Sequence, residues 1–273
     1  MADNPEIGRQ ITLGGLSTNY HDIGSGAAVV FVHGSGPGVS AWANWRLNLG
    51  PVAAQGFRCL APDMAGFGYS AAPADLVFSR DLWVDQLAAF IDSQTDTPVH
   101  LIGNSFGGAI ALAYAIRFPE RLNKLVLMGA VGVDFLITEA LDRIWGHQAS
   151  LENMCAALRL FAHDHSLLSD DLAELRHRAC LRPGVMEAFS AMFPAPRQQA
   201  LRALASDEAA IARLNTPTLV LHGREDRVIP PEVSQRLFDL LPQSELHMFG
   251  GCGHWTQIEK THRFNILVGD FLK

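Results

Sequence analysis

The chain has 273 residues, 48% of them hydrophobic and 18% charged. That balance excludes a disordered chain, and a chain of this length buries roughly seven-tenths of its open surface on folding. Lysine and arginine number 21 against 28 acidic residues, a net charge of −7, so there is no basic field to hold nucleic acid or an anionic membrane.

In chain order, Ala27–Val32 is a continuous β-rich run ending at Gly34, as in a strand buried on both faces. Arg58–Ala61, closed by Pro62, is a second short run, Val99–Ile102 a third and Lys124–Met128 a fourth; Thr218–Leu221 and Glu245–Phe249 follow late. Between them lie helical stretches. One begins at Ser79, with Asp81 and Asp85 near its start and Leu82, Trp83, Leu87 and Phe90 on its apolar side. Alternating strands and helices predict an α/β fold with a mostly parallel central sheet flanked by helices. From Asp134 to about Glu208 no strand is predicted, only helical pieces such as Leu151–Phe161 and Ser169–Cys180, punctuated by Pro183, Pro194 and Pro196. The expected organisation is a core of residues 1–133 and 207–273 with a helical cap, 134–206, inserted over the C-terminal edge of the strands.

Cys59, Cys155, Cys180 and Cys252 are scattered and read as reduced thiols. The start, Met1 to Glu6, has neither a basic n-region nor an apolar h-region, and the longest apolar stretch, Leu125 to Val133, is too short to span a bilayer. The expectation is a cytoplasmic protein with a small-molecule partner, a homo-oligomer of two or more copies being left open.

The sharpest local signal is Ile102-Gly-Asn-Ser-Phe-Gly-Gly108, a G-x-S-x-G between a buried strand and the helical run Ala109–Arg117. A sharp strand-to-helix turn leaves Ser105 exposed at a helix N-terminus, where the dipole favours negative charge. A serine hydroxyl needs a base and an orienting acid, in the chain order Ser, Asp, His. His254, in Gly250-Gly-Cys-Gly-His-Trp255, follows the last predicted strand, and Asp226, in His222-Gly-Arg-Glu-Asp-Arg-Val228, follows the one before it; Glu225 is the rival acid. Two backbone donors are needed for the oxyanion: the N–H of Phe106, and one from the glycine-rich loop His33–Gly38. That loop lacks the spacing of a phosphate loop, no H-E-x-x-H occurs, and neither a metal nor a cofactor is expected.

Three stretches, His33-Gly-Ser-Gly-Pro-Gly-Val-Ser-Ala-Trp-Ala-Asn-Trp45, Gly103-Asn-Ser-Phe-Gly-Gly108 and Gly251-Cys-Gly-His-Trp255, together resemble the meta-cleavage-product hydrolases of the α/β-hydrolase superfamily. The resemblance covers essentially the whole chain. Ser35 in the first loop and Phe106 after the serine resemble the branch acting on monocyclic products. It implies hydrolysis of a carbon–carbon bond in 2-hydroxy-6-oxohexa-2,4-dienoates. Residue by residue it implies a triad of Ser105, Asp226 and His254 and an oxyanion hole from the amides of Ser35 and Phe106. Asn44, Asn104, Arg176 and Trp255 would hold the carboxylate and 2-oxo end, with Arg178 or Arg182 as alternatives to Arg176. Ile137, Leu141, Trp145 and Val228 are expected either to line an apolar acyl pocket or to pack as ordinary core. A carboxylesterase or perhydrolase on the same scaffold, needing no carboxylate-binding arginine, is the competing reading. A ligand receptor with little turnover is a third.

Overall fold

The structure, a computed structural model, describes residues 4–273; the first three residues of the chain start read above lie outside the described residues. Eight strands form one sheet: β1 (Arg9–Leu13), β2 (Leu16–Gly24), β3 (Ala27–Val32), β4 (Phe57–Pro62), β5 (Val99–Asn104), β6 (Leu122–Met128), β7 (Thr218–Gly223) and β8 (Ser244–Phe249). Their order is β1-β2-β4-β3-β5-β6-β7-β8. From β4 across to β8 every pairing is parallel, whereas β1 and β2 form a hairpin that joins β4 antiparallel. All six predicted strands are present. The hairpin was not predicted.

Helices pack on both sides: α1 (Ala41–Trp45), α2 (Leu49–Ala53), α3 (Arg80–Gln94), α4 (Phe106–Arg117), then α5 (Glu139–Trp145), α6 (Leu151–Phe161), α7 (Asp170–Cys180), α8 (Val185–Met192), α9 (Gln198–Leu204) and α10 (Glu208–Ile211), and finally α11 (Pro231–Leu240), α12 (Thr256–Glu259) and α13 (Thr261–Leu272). Every regular element between β6 and β7 is helical.

The reason β3 reads as an unbroken apolar run is visible in its packing. Val30 and Val32 belong to one core with Leu101, Leu125, Leu127 and Val220, under α3, α4 and α11. Val29 and Phe31 belong to the other, with Ile102, Val126, Met128 and Leu221, under α1, α2 and α13. Alternate side chains thus enter opposite layers, and the strand needs an apolar residue at every position. Val29 to Val32 are wholly buried. The helix predicted from Ser79 is capped by that serine, whose hydroxyl accepts from Leu82 N at 3.1 Å. No described helix is long and apolar enough to cross a membrane. All four cysteines are unbridged, and Cys59, Cys180 and Cys252 are buried.

Candidate active site

The turn that carries Ser105 is built by crowding. Ser105 sits between β5 and α4 with φ 54° and ψ −116°, the one described non-glycine residue with positive φ. A Cβ at Gly103 would lie 2.4 Å from Gly107 O, and one at Gly107 would lie 2.3 Å from Val32 O. No side chain fits at either place, so the turn can be this tight only with glycine. The turn is anchored by Ser105 N donating to Met128 O at 2.9 Å and Ser105 O accepting from Val131 N at 3.1 Å.

Asp226 and His254 come from the loops after β7 and β8. His254 Nδ1 donates to Asp226 Oδ2 at 2.7 Å, while Asp226 Oδ1 accepts from Val228 N at 2.7 Å and Ile229 N at 3.0 Å. Burial alone would raise the Asp226 carboxyl; the charges and hydrogen bonds of His254 and His222 overcome it and hold the group far below the usual carboxylate range. Glu225, the rival acid, points elsewhere: its carboxylate pairs with Arg224 and accepts from Cys252 N.

His222 was missed by sequence reasoning. It is wholly buried at the end of β7, with Nε2 3.2 Å from Asp226 Oδ2 and 3.0 Å from Ile229 O. Both partners only accept, so Nε2 carries a proton, and Nδ1 is hydrogen-bonded with Ser234 Oγ at 2.6 Å. A histidine four residues before the acid was the available signal, but a strand-end histidine reads equally as core.

The loop after β3 is braced on two sides. Burial pulls His33 down to about 4, so it is neutral; its Nε2 accepts from Met64 N at 3.0 Å and its Nδ1 donates to Gly34 O at 2.8 Å. From the helical segment, Trp145 Nε1 donates to Ser35 Oγ at 2.9 Å. The backbone N–H groups of Ser35 and Phe106 have no hydrogen-bond partner among the described residues.

One cavity, about 530 Å³ with its mouth, gathers most of the expected residues: Ser35, Asn44, Asn104, Ser105, Arg176, His254, Trp255, Leu141 and Val228. The helical segment closes it with Ile144 from α5 and with Met154, Leu158 and Phe161 from α6, none of which was singled out in the sequence. Two expected liners are elsewhere. Ile137 packs half-buried on the main core, and Trp145 is stacked on Phe193 at 4.3 Å behind the wall that its neighbour Ile144 presents. Of the alternative arginines, Arg178 is exposed beside Glu174, and Arg182 lies over the Tyr69 ring at 4.0 Å; neither lines the cavity.

Asn44 Oδ1 accepts from Gly34 N at 3.3 Å, but its Nδ2 is buried without a partner. An unpaired buried donor at a cavity wall is expensive unless a ligand meets it. Asn104 Nδ2, by contrast, is spent on Met128 O at 3.2 Å. No group of three or more metal-ligating side chains occurs among the described residues.

A mostly parallel sheet flanked by helices, with a serine at the β5–α4 turn sharing one cavity with a histidine hydrogen-bonded to a buried acid, is the arrangement of an α/β hydrolase. The sequence profile of the alpha/beta hydrolase fold family matches residues 27–261. The chain is 55% identical to a 2-hydroxymuconate semialdehyde hydrolase of Pseudomonas sp. (strain CF600), covering 99% of this chain and 95% of that one. It is 54% identical to a 2-hydroxy-6-oxo-2,4-heptadienoate hydrolase of Pseudomonas putida F1, covering 98% and 97%. A solved meta-cleavage product hydrolase from Pseudomonas fluorescens IP01 is 49% identical, covers 98% of each chain and superposes with a TM-score of 0.96. The chain belongs to the α/β-hydrolase family and, within it, to the meta-cleavage product hydrolases.

Proposed function

We propose that this protein hydrolyses a carbon–carbon bond in 2-hydroxy-6-oxohexa-2,4-dienoates bearing hydrogen or methyl on the 6-carbonyl, giving 2-hydroxypenta-2,4-dienoate and a carboxylic acid. The observation that carries this reading is the mixed lining of the cavity at Ser105, polar groups beside apolar walls. Asn44, Arg176 and Trp255 also face a second, neighbouring cavity that none of Leu141, Ile144, Met154, Leu158, Phe161 or Val228 touches. Asn44 Nδ2 and Arg176 thus share the cavity with an apolar wall, as a molecule with a carboxylate head and a small acyl tail requires, while Trp255 bridges the two, its ring stacked on Phe161. The two Pseudomonas relatives at 55% and 54% identity are named for substrates with small acyl groups, whereas one at 32% is named for an aminophenyl substrate.

In this mechanism Arg176 and Asn44 Nδ2 receive the carboxylate and 2-oxo group and favour ketonisation of the dienol. His254 takes the proton of Ser105 Oγ as the oxygen attacks the 6-carbonyl, and Asp226 stabilises the imidazolium. The amides of Ser35 and Phe106 hold the oxyanion. The C5–C6 bond then breaks, its electron pair passing into the conjugated 2-oxo system, and water releases the acid from Ser105. The insertion 134–206 serves as the cap that supplies Arg176 and the acyl wall.

The test follows loss of the dienolate's visible absorbance beside hydrolysis of a nitrophenyl ester. Ser105→Ala should lower dienoate cleavage by about 10³-fold or more. Cleavage near the wild-type rate would remove Ser105 from the mechanism, and ester turnover without bleaching would favour a carboxylesterase.

A further inference from the structure

Arg176 does not enter the cavity as a free cation. Its Nη2 pairs with Glu6 Oε1, and its Nη1 donates to Gly38 O at 3.0 Å. The second carboxylate oxygen, Glu6 Oε2, accepts from Ser40 Oγ at 2.8 Å. Both charged residues are buried, at 7% and 8% exposure. Glu6 is itself tied down: its carbonyl accepts from Asn19 Nδ2 at 3.0 Å, and its N donates to Asn4 Oδ1 at 3.0 Å. The segment before β1, the start of α1 and helix α7 therefore meet at one ion pair on the cavity wall. Of the five N–H donors of a guanidinium, two are committed here and three have no partner among the described residues.

Charge matters as much as geometry at this place. Arg46 is a second cation close enough to feel both Arg176 and Glu6. Without Glu6 the carboxylate end would hold an unbalanced buried charge, whose attraction for an anion grows as water is excluded. Such attraction acts equally on substrate and on the carboxylate-bearing product. It would deepen both ground states without helping the chemical step.

We propose that Glu6 is a positioning residue for the carboxylate end of the site: it fixes the fork of Arg176 and cancels its net charge, so that a carboxylate is selected by directed hydrogen bonds and its product is not retained. This rests on Arg176 receiving the substrate carboxylate.

Three variants of the full chain test it, each measured for kcat and KM on the dienoate, for inhibition by 2-hydroxypenta-2,4-dienoate, and against a nitrophenyl ester lacking a carboxylate. Glu6→Gln keeps the shape and the Oε1 acceptor but removes the charge. Its product inhibition constant should fall by about five- to tenfold and its dienoate KM should fall with it. Glu6→Asp keeps the charge but shortens the reach, so its dienoate KM should rise by about tenfold while product inhibition tightens by less than twofold. An inhibition constant for Glu6→Gln at or above that of the wild type overturns the inference. Arg176→Met separates the two readings. If it leaves the dienoate-to-ester ratio of kcat/KM unchanged, the role of Arg176 itself is wrong. If it collapses that ratio while Glu6→Gln changes nothing, only the role of Glu6 is wrong.

Discussion

Asp226 concentrates the electrostatics of the site in one side chain. It is buried, it receives two backbone N–H groups on one oxygen, and two histidines share the other. With its folded pKa held below the ordinary value of about 4, there is a pH range in which the unfolded chain binds a proton and the folded chain does not. Stability from this group is therefore present above about pH 4 and lost as pH falls, with a limiting slope of ~1.4 kcal/mol per pH unit. Urea unfolding at pH 5, 4 and 3.5 should show a steeper loss for the wild type than for Asp226→Asn; parallel curves would mean that the ion pair is not felt. Asp63, which accepts from Asn19, Ala41 and Tyr69, does not blur this comparison. Burial pushes it up to about 6, so its contribution declines as pH rises between about 4 and 6, with the opposite sign; that window overlaps the step from pH 5 to 4, but Asp63 is present in both proteins and cancels in their difference. The residues proposed as the triad were legible because each follows the C-terminal end of a parallel strand, and strand, loop and chain order are all written locally. Glu6 was not legible. Its partner is 170 positions away, and a glutamate near a chain start carries no mark of burial.

At the scale of elements, the parallel strands β3 to β7 were legible because burial on both faces demands largely apolar runs, whereas β8, a mostly half-buried edge, showed only the alternation of Leu246 and Met248 with polar neighbours. The β1–β2 hairpin is a half-exposed edge with mixed polarity, and only its turn, Gly14-Gly15 with φ 55° and 84°, was a sharp signal. Which helical residues face the cavity was not legible either, since core and cavity walls share one periodicity: Ile144 lines the cavity while Trp145 turns behind it. The join between α6 and the loop of His254 is specific. Phe161 O accepts from His254 N at 2.7 Å and from Trp255 N at 3.3 Å, and its ring stacks on Trp255 at 5.1 Å. Phe161→Ala should cost about 3 kcal/mol, read from chemical denaturation, because the ring is buried at the centre of this join. Amide exchange should accelerate together in residues 151–161 and 253–256. Acceleration confined to α6 would show that the helix and the histidine loop do not open as one unit.

For the whole molecule, the net charge of −7 opposes the approach of the proposed anionic substrate, and Arg176, being paired with Glu6, adds no net positive charge of its own to reverse this. The consequence is a salt dependence of definite sign. The screening length is about 30 Å at 0.01 M and about 8 Å at 0.15 M, so low salt lets the whole surface act on an arriving dianion, and physiological salt leaves only the nearest groups. Because the long-range term is repulsive, kcat/KM for the dienoate should rise between these conditions by about two- to threefold, and kcat/KM for a neutral ester should stay flat. A mutation that exposes the positive charge at the cavity wall should weaken the effect, so Glu6→Gln should show a smaller rise than the wild type. If kcat/KM for the dienoate falls with salt, an attractive local field outweighs the −7, and Arg176 acts as a net cation despite its partner. The same pair of titrations thus reads the global charge and the local pair in one experiment, with the ester reporting any effect of salt on the fold or on the chemical step.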